Sequence, residues 1–233
     1  MASVAVGTDV SNYSFQHLMD LDITRPKAIV EGFICERQNG LLMGRFGIGK
    51  TMLGTQLGLH LAIGRDFLGR KIPRPFKTQF IDCENDLGDI KERVSKQAVA
   101  MNFTDAERSL LQRNWFYATA NDPTSALYGM RLDLEKEDEF SGLTTLVQEV
   151  EPEVLIIDNL GLVTKGDLKE PEEAKTFYSN LGHLRMQTEA LRNGGIITMH
   201  HFTKPGERGN LEISLAECSF RVDISCTGQV GDC

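Results

Sequence analysis

A glycine-rich segment that ends in lysine and threonine is the part of this sequence best suited to chemistry. Residues 44–51 read Gly-Arg-Phe-Gly-Ile-Gly-Lys-Thr, which matches the G-x-x-x-x-G-K-T pattern of a phosphate-binding loop. Its glycines let the backbone wrap tightly, so that N–H groups point at an anion. Lys50 adds a positive charge at the β- and γ-phosphates, and the Thr51 hydroxyl is a ligand for magnesium. The segment therefore predicts a site for a nucleoside triphosphate and Mg²⁺.

The segments around this loop are those that the pattern requires. Residues 40–43 are apolar and predict a strand, and residues 52–63 predict a helix that ends at Gly64. The positive end of that helix would face the bound anion. Its apolar side is expected to consist of Met52, Leu53, Leu57 and Leu61. The residues predicted to bind the nucleotide are Gly44, Arg45, Phe46, Gly47, Ile48, Gly49, Lys50, Thr51 and Met52.

An aspartate closes a continuous apolar run. Residues 154–157 are Val-Leu-Ile-Ile, the pattern of a central parallel strand buried on both faces, and Asp158 follows directly. A carboxylate at that point can hold the magnesium ion that bridges the β- and γ-phosphates. A helix-capping or loop role is the alternative. The glycine loop upstream favours the metal role.

A glutamate follows another predicted strand, residues 78–82. Glu84 stands where a carboxylate can orient and deprotonate a water molecule that attacks the γ-phosphate. Asp82 competes for this role, since it lies only two positions earlier and strand alternation would put it on the same face. Either residue could instead cap the helix that follows. We expect Glu84 to be the base.

Two histidines and two basic residues follow the strand predicted for residues 195–200. His200 and His201 are adjacent, so at most one of them faces the phosphates, where a histidine can sense the γ-phosphate. A metal pair, or one core and one surface histidine, is the alternative. Lys204 and Arg208 could supply a cation to the γ-phosphate of a neighbouring subunit, or could be a solvated loop face.

Composition limits the class of protein. The 233 residues are 41% hydrophobic and 25% charged, which is ordinary for a globular protein with a full core. The net charge of −8 argues against a surface coated for nucleic-acid binding, although a local basic loop is compatible with it. The five cysteines form no C-x-x-C pair, which favours reduced thiols in the cytoplasm. We expect no signal peptide and no membrane span.

Strand and helix patterns alternate from residue 28 onward. This alternation predicts an α/β fold with a mostly parallel, twisted sheet and helices on both faces. Residues 1–27 are expected to be an N-terminal extension, and residues 28–233 one ATPase domain. Further helices are predicted over residues 86–101, from a capping box at 104–107, over 141–150 and over 171–192. Further strands are predicted over residues 115–119 and 218–225.

Taken together, these motifs resemble those of the RecA-like P-loop ATPases, most closely the RepA-type branch related to hexameric replicative helicases. The resemblance rests on the loop at residues 44–51, Phe-Ile-Asp-Cys-Glu-Asn at 80–85 and Val-Leu-Ile-Ile-Asp-Asn at 154–159. His-His-Phe-Thr-Lys at 200–204, with Arg-Gly at 208–209, completes it. It spans roughly residues 28–215.

The resemblance implies a role for each motif residue. ATP and Mg²⁺ would be bound by Lys50 and Thr51, with Asp158 on the metal side and Glu84 as the base. The γ-phosphate sensor would be His201. Further implied residues are Lys204 and Arg208 as cations that reach the neighbouring site, and Arg93 against the adenine. The family's DNA contacts come from loops that here correspond to residues 164–170 and 202–210.

Three functions are compatible with these residues. The leading hypothesis is an ATP-hydrolysing ring, expected to be a hexamer, that acts on single-stranded DNA as a RepA-type replicative helicase. A nucleotide-switched assembly or recombination-mediator ATPase is the second, in which hydrolysis is incidental. A small-molecule kinase built on the same loop is the third. It would need an arginine-rich lid, which the sequence does not clearly offer.

Overall fold

The motif residues lie at the ends of strands of one sheet or in the segments that follow those strands. In the computed structural model of the protein, the described residues are 14–22, 24–44, 47–129, 136–158, 171–201, 211–215 and 219–222. The helices are α1 (Phe15–Asp20), α2 (Lys50–Ile63), α3 (Leu87–Met101), α4 (Asp105–Asn114), α5 (Glu137–Val150), α6 (Pro171–Arg185) and α7 (Glu189–Arg192). The strands are β1 (Ala28–Val30), β2 (Ile34–Cys35), β3 (Asn39–Gly44), β4 (Thr78–Asp82), β5 (Trp115–Thr119), β6 (Val154–Asp158), β7 (Gly195–His201), β8 (Leu211–Leu215) and β9 (Ser219–Val222).

The main sheet has the strand order β5-β4-β6-β7-β3-β8-β9. The first five of these strands are parallel, and β8 and β9 continue the sheet as an antiparallel pair beside β3. Strands β1 and β2 form a separate antiparallel pair. Because the five central strands are parallel, their carboxyl ends lie at one edge, where ligands of such sheets bind.

Alternate side chains of the central strands pack into two hydrophobic cores on opposite faces of the sheet. Phe80 and Ile156 pack in a cluster with α2, whereas Ile81 and Ile157 pack in a cluster with α5, α6 and α7. The period of two along each strand separates the faces. The sheet is therefore covered by helices on both sides, and the predicted fold class is confirmed.

Helix α2 lies unusually close to the sheet because two of its residues have no side chain. An added Cβ at Gly54 would lie 2.7 Å from Met199 Cε, and one at Gly58 would lie 3.2 Å from Trp115 Nε1. Leu57 and Leu61 are buried as expected. Met52 is 40% exposed, so its placement on their side was wrong. It lies five positions before Leu57, about 140° around the helix.

One other prediction needed correction in the second half of the chain. The single helix expected over residues 171–192 is interrupted after Arg185, because the Thr188 side chain accepts a hydrogen bond from the Leu191 N–H and starts α7. Within the strand expected over residues 218–225, the described residues form β9, and residues 218 and 223–225 lie outside the described part of the chain. Strand β8 had no sequence prediction and pairs with both β3 and β9.

The ends of several helices follow the predicted local chemistry. Gly64 ends α2 in the left-handed conformation, and the capping box of Thr104 and Glu107 opens α4. Helix α5 begins at Glu137, four positions before the expected start.

Helix α1 buries none of its residues, and the division into an extension and a domain stays a prediction. Within the described ranges, no helix combines the length and the apolar character needed to cross a bilayer.

Replacing Gly64 with alanine should destabilise the protein more than the same change at Gly69. Both glycines have a φ above +70°, which costs an L-residue about 1–2 kcal/mol. A Cβ at Gly64 would also lie 2.8 Å from Pro75 N and 2.9 Å from the carbonyl carbon of Arg74, whereas no described atom lies within 4 Å of a Cβ at Gly69. Urea denaturation should show roughly 1–3 kcal/mol more destabilisation for Gly64→Ala. Equal losses would contradict the steric argument.

Candidate active site

The loop between β3 and α2 has the backbone shape of an anion cradle. Gly47 and Gly49 have φ values of +74° and +96°, and a Cβ on either would point into space free of described atoms within 4 Å. Gly49 is the N-cap of α2 and has no side chain to occupy the free N–H groups of the first turn. The loop therefore has room and donors for a phosphate, as the ATP prediction requires.

Lys50 is buried at the start of α2, with 4% of its surface exposed. Its Nζ donates a hydrogen bond to the Gly44 carbonyl oxygen, 2.9 Å away. Burial lowers the pKa of this amine, and the charges of Asp158 and Glu84 oppose that effect. The lysine is thus held over the loop by a backbone group that a phosphate oxygen can replace.

Asp158 is almost fully buried at the end of β6, with 1% of its surface exposed. The Thr51 side chain hydrogen-bonds to its carboxylate, and the nearby charges of Asp82 and Glu84 add to the effect of burial. Together, burial and these charges raise the pKa of Asp158 to about 7, although Thr51 and Lys50 lower it. Among the described residues, Asp158 Oδ2 has no hydrogen-bond partner. Lys50 compensates the charge of this buried carboxylate only in part.

The pair formed by Thr51 and Asp158 fits a magnesium ion. Both offer oxygen ligands, which Mg²⁺ prefers, and Mg²⁺ takes few protein ligands when phosphates and waters complete its shell. Among the described residues there is no cluster of three or more His, Cys, Asp or Glu side chains arranged around a metal. When bound, the ion would neutralise phosphate charge during phosphoryl transfer.

Glu84 lies in the loop after β4 and is exposed. Partial desolvation, followed by the charge of Asp82, raises the pKa of its carboxyl group, and Lys50 opposes this. A raised pKa brings a carboxylate closer to the operating pH of a general base. Glu84 therefore lies within electrostatic reach of the loop lysine on one side and of Asp158 on the other.

Asp82, the competitor of Glu84, is occupied as a cap. It is 1% exposed, and its Oδ1 accepts hydrogen bonds from the N–H groups of Glu84 and Asn85, both at 2.9 Å. The Asn85 side chain donates to both carboxylate oxygens. Since these donors use its lone pairs, Asp82 is poorly placed to accept a proton from water. Asp82 therefore caps the turn, whereas the helix that follows is capped by Asp86 and not by Asp82 or Glu84.

The two histidines take different positions in β7. His201 pairs in register with Gly44, and His200 with Met43. Met199 packs in the core on the α2 side, and Ile196 on the opposite side. Strand alternation therefore assigns position 200 to the side away from α2. The side chain of His201 lies outside the described part of the chain, and its sensor role stays a prediction.

Arg93 lies on α3, one turn before a residue that contacts the start of α2. Gln97 Nε2 donates to the Met52 carbonyl oxygen at 2.7 Å, and residues four apart lie on the same side of a helix. Arg93 is partly buried and lies on the same side of α3 as Gln97. Its contact with adenine stays a prediction.

Several predicted site residues lie outside the described part of the chain. These are Arg45, Phe46, Lys204, Arg208 and the loop 164–170. Conversely, sequence reasoning missed Asn121 and Thr119, which contact the Glu84 loop from the end of β5. No local motif marks them, because they reach the site only through the pairing of β5 with β4.

Comparison with known proteins agrees with this geometry. Residues 9–207 match a protein family described as the AAA domain. The chain belongs to the AAA domain family. With its parallel sheet and phosphate loop, this AAA domain protein is a RecA-like P-loop ATPase by family and fold. The RepA-type branch stays a prediction.

Structural comparison finds a KaiC-like protein from the hyperthermophilic archaeon Pyrococcus horikoshii OT3. It is 14% identical to this AAA domain protein, with a TM-score of 0.44, and the alignment covers 84% of this chain and 87% of the archaeal one. No curated protein sequence matches the chain.

Replacing Asp158 with asparagine should stabilise the protein in the absence of nucleotide and Mg²⁺. The folded pKa of about 7 exceeds the ordinary 3.8, so between about pH 4 and 7 the folded protein holds a proton that the unfolded chain has released. The free energy of unfolding of the wild type therefore falls as pH rises through this window. The free energy of unfolding of the Asp158→Asn variant does not fall in this way. The resulting difference between the two proteins is at most about 4 kcal/mol above pH 7.

Urea denaturation of both proteins between pH 5 and 8 measures the effect. The advantage of Asp158→Asn should grow with pH and should shrink when Mg²⁺ and ATP are added, since the metal compensates the carboxylate. A pH-independent difference would show that Asp158 does not carry this burial penalty.

Proposed function

We propose that this protein hydrolyses ATP, with Glu84 as the general base and Mg²⁺ held by Thr51 and Asp158. In this mechanism the loop N–H groups and Lys50 bind the triphosphate, and Glu84 takes a proton from the water that attacks the γ-phosphorus. Phosphoryl transfer needs positioning and charge compensation more than covalent chemistry, and these groups supply part of both.

One observation carries the proposal: three separate elements bring these side chains together. Lys50 and Thr51 come from α2, Asp158 from β6 and Glu84 from the loop after β4, and the first two and Glu84 all interact with Asp158. The register that pairs Asp82 with Asp158 aligns the ends of β4 and β6. A lysine, a hydroxyl and two carboxylates around an open glycine loop match the needs of hydrolysis.

The finer proposal is a ring, expected to be a hexamer, that acts on single-stranded DNA as a RepA-type helicase. It is supported by the sequence resemblance and by the charge of the site. Among the described groups coupled to Asp158, Lys50 is the one cation, against the carboxylates of Asp82 and Glu84. A triphosphate needs more positive charge than Mg²⁺ and one lysine supply, and Lys204 or Arg208 of a neighbouring subunit would provide it.

The candidate DNA-contacting loops support the same proposal. One follows β6 and the other follows β7, and these strands are parallel neighbours in the sheet. Their carboxyl ends lie at the edge that also carries the phosphate loop. DNA bound by these loops could therefore respond to the state of the nucleotide.

Substituting Glu84 with glutamine should lower kcat at least roughly a hundredfold while ATP still binds, because the base is lost and the cradle is kept. Lys50→Ala should abolish binding or turnover. Phosphate release and calorimetric ATP titration measure the two effects. Glu92→Gln is the matched control, since Glu92 is an exposed carboxylate on α3 that pairs with Lys96. A Glu84→Gln variant with the turnover of the control would remove Glu84 from the mechanism.

Single-stranded DNA should stimulate ATP hydrolysis, and native mass measurement with nucleotide should show a ring-sized oligomer. If Arg208 serves the neighbouring site, mixing inactive Lys50→Ala with inactive Arg208→Ala subunits should restore part of the activity. Absence of rescue at every ratio contradicts a shared site. Slow hydrolysis that ignores DNA favours the nucleotide-switch hypothesis, and phosphate transfer to a nucleoside or sugar favours the kinase.

A further inference from the structure

We propose that Asn121 is a positioning residue for Glu84, which it serves by anchoring the backbone of the Glu84 loop to the end of β5. The inference rests on the proposed role of Glu84 as the base. It assigns a function to a polar side chain that belongs to none of the sequence motifs.

The first half of the loop is held from the strands β4 and β6. The Cys83 N–H donates to the Asp158 carbonyl oxygen at 2.7 Å. Asp82 then caps the N–H groups of Glu84 and Asn85. These contacts satisfy the donors of the turn, but they leave the carbonyl groups of Glu84 and Asn85 to be held from elsewhere.

Asn121 supplies the contacts on the carbonyl side. Its Nδ2 donates to the Asn85 carbonyl oxygen at 3.0 Å and lies 3.5 Å from that of Glu84. Thr119 Oγ1 also donates to the Asn85 carbonyl, at 3.1 Å, and accepts a hydrogen bond from the Asn121 N–H. Thr119 is fully buried in β5, so the Asn121 backbone is attached to a rigid strand end.

This anchor matters because the direction of the Glu84 side chain depends on its backbone. A general base must lie within hydrogen-bond reach of the attacking water, and productive geometry is held to about 0.5 Å and roughly 10–20°. Asp82 holds the two planar peptide units that flank Glu84 from one side alone, at their N–H groups. The amide of Asn121 holds the second of these units, and the unit after it, from the carbonyl side.

A role in general stability does not account for Asn121. The residue is exposed at its side chain contacts with the loop, so truncating it leaves no buried cavity. Its amide donor bridges two consecutive carbonyl groups of the proposed catalytic loop. We therefore expect the loss of these hydrogen bonds to lower mainly kcat, by roughly three- to tenfold.

The test compares Asn121→Ala and Asn121→Asp with the matched control Asn114→Ala. Asn121→Asp keeps the shape but loses the donor, and Asn114→Ala removes a similar amide bond to the Ala62 carbonyl, at the end of α2 remote from the phosphate loop. Both Asn121 variants should lower kcat about three- to tenfold, with the calorimetric ATP affinity unchanged. The control should keep the wild-type kcat. Urea midpoints verify that all variants are folded.

A double variant shows whether Asn121 acts through Glu84. In a Glu84→Gln background the base is already lost, so adding Asn121→Ala should lower the residual rate less than about twofold. An equal fall in both backgrounds, or weaker ATP binding with an unchanged kcat, would overturn the positioning role. If Glu84→Gln is inactive but Asn121→Ala keeps the wild-type kcat, this inference alone is overturned. Normal turnover in Glu84→Gln overturns the proposed function itself.

Discussion

A buried carboxylate that one lysine compensates only in part is the constraint on which the rest of the site depends. Asp158 is enclosed at the end of a central strand, hydrogen-bonded to Thr51 and close to two other carboxylates. Such a group is expensive to ionise in a protein interior. The protein therefore maintains a charge imbalance that a divalent ion would relieve, and the fold must be stable enough to carry it. Functional sites commonly hold this kind of local conflict.

Much of the fold was predictable because its strongest signals are local. Apolar runs such as residues 154–157 specify central strands buried on both faces, and Thr104 and Gly64 mark helix ends by their own chemistry. The misses depend on contacts between distant segments. Strand β8 exists by pairing with β3, far away in the sequence. The interruption before α7 depends on a single threonine cap inside an otherwise helical pattern.

The site also has a part that the sequence predicts and a part that depends on contacts between distant segments. The positions of Lys50, Glu84 and Asp158 could be anticipated, because each belongs to the end of a strand or the segment after it, and parallel strands end at one edge. The division of labour between Asp82 and Glu84 could not, since it depends on which carboxylate meets the N–H groups of the turn. The contact of Asn121 with the Glu84 loop could not be predicted from the sequence for a similar reason. It exists only because the sheet brings β5 beside β4.

The close seating of α2 on the sheet has a mechanical consequence. Gly54 and Gly58 let the helix rest almost directly on Met199 and Trp115, so sliding or rolling would drive backbone into side chains. We therefore expect α2 to keep its place on the sheet whether or not a γ-phosphate is bound.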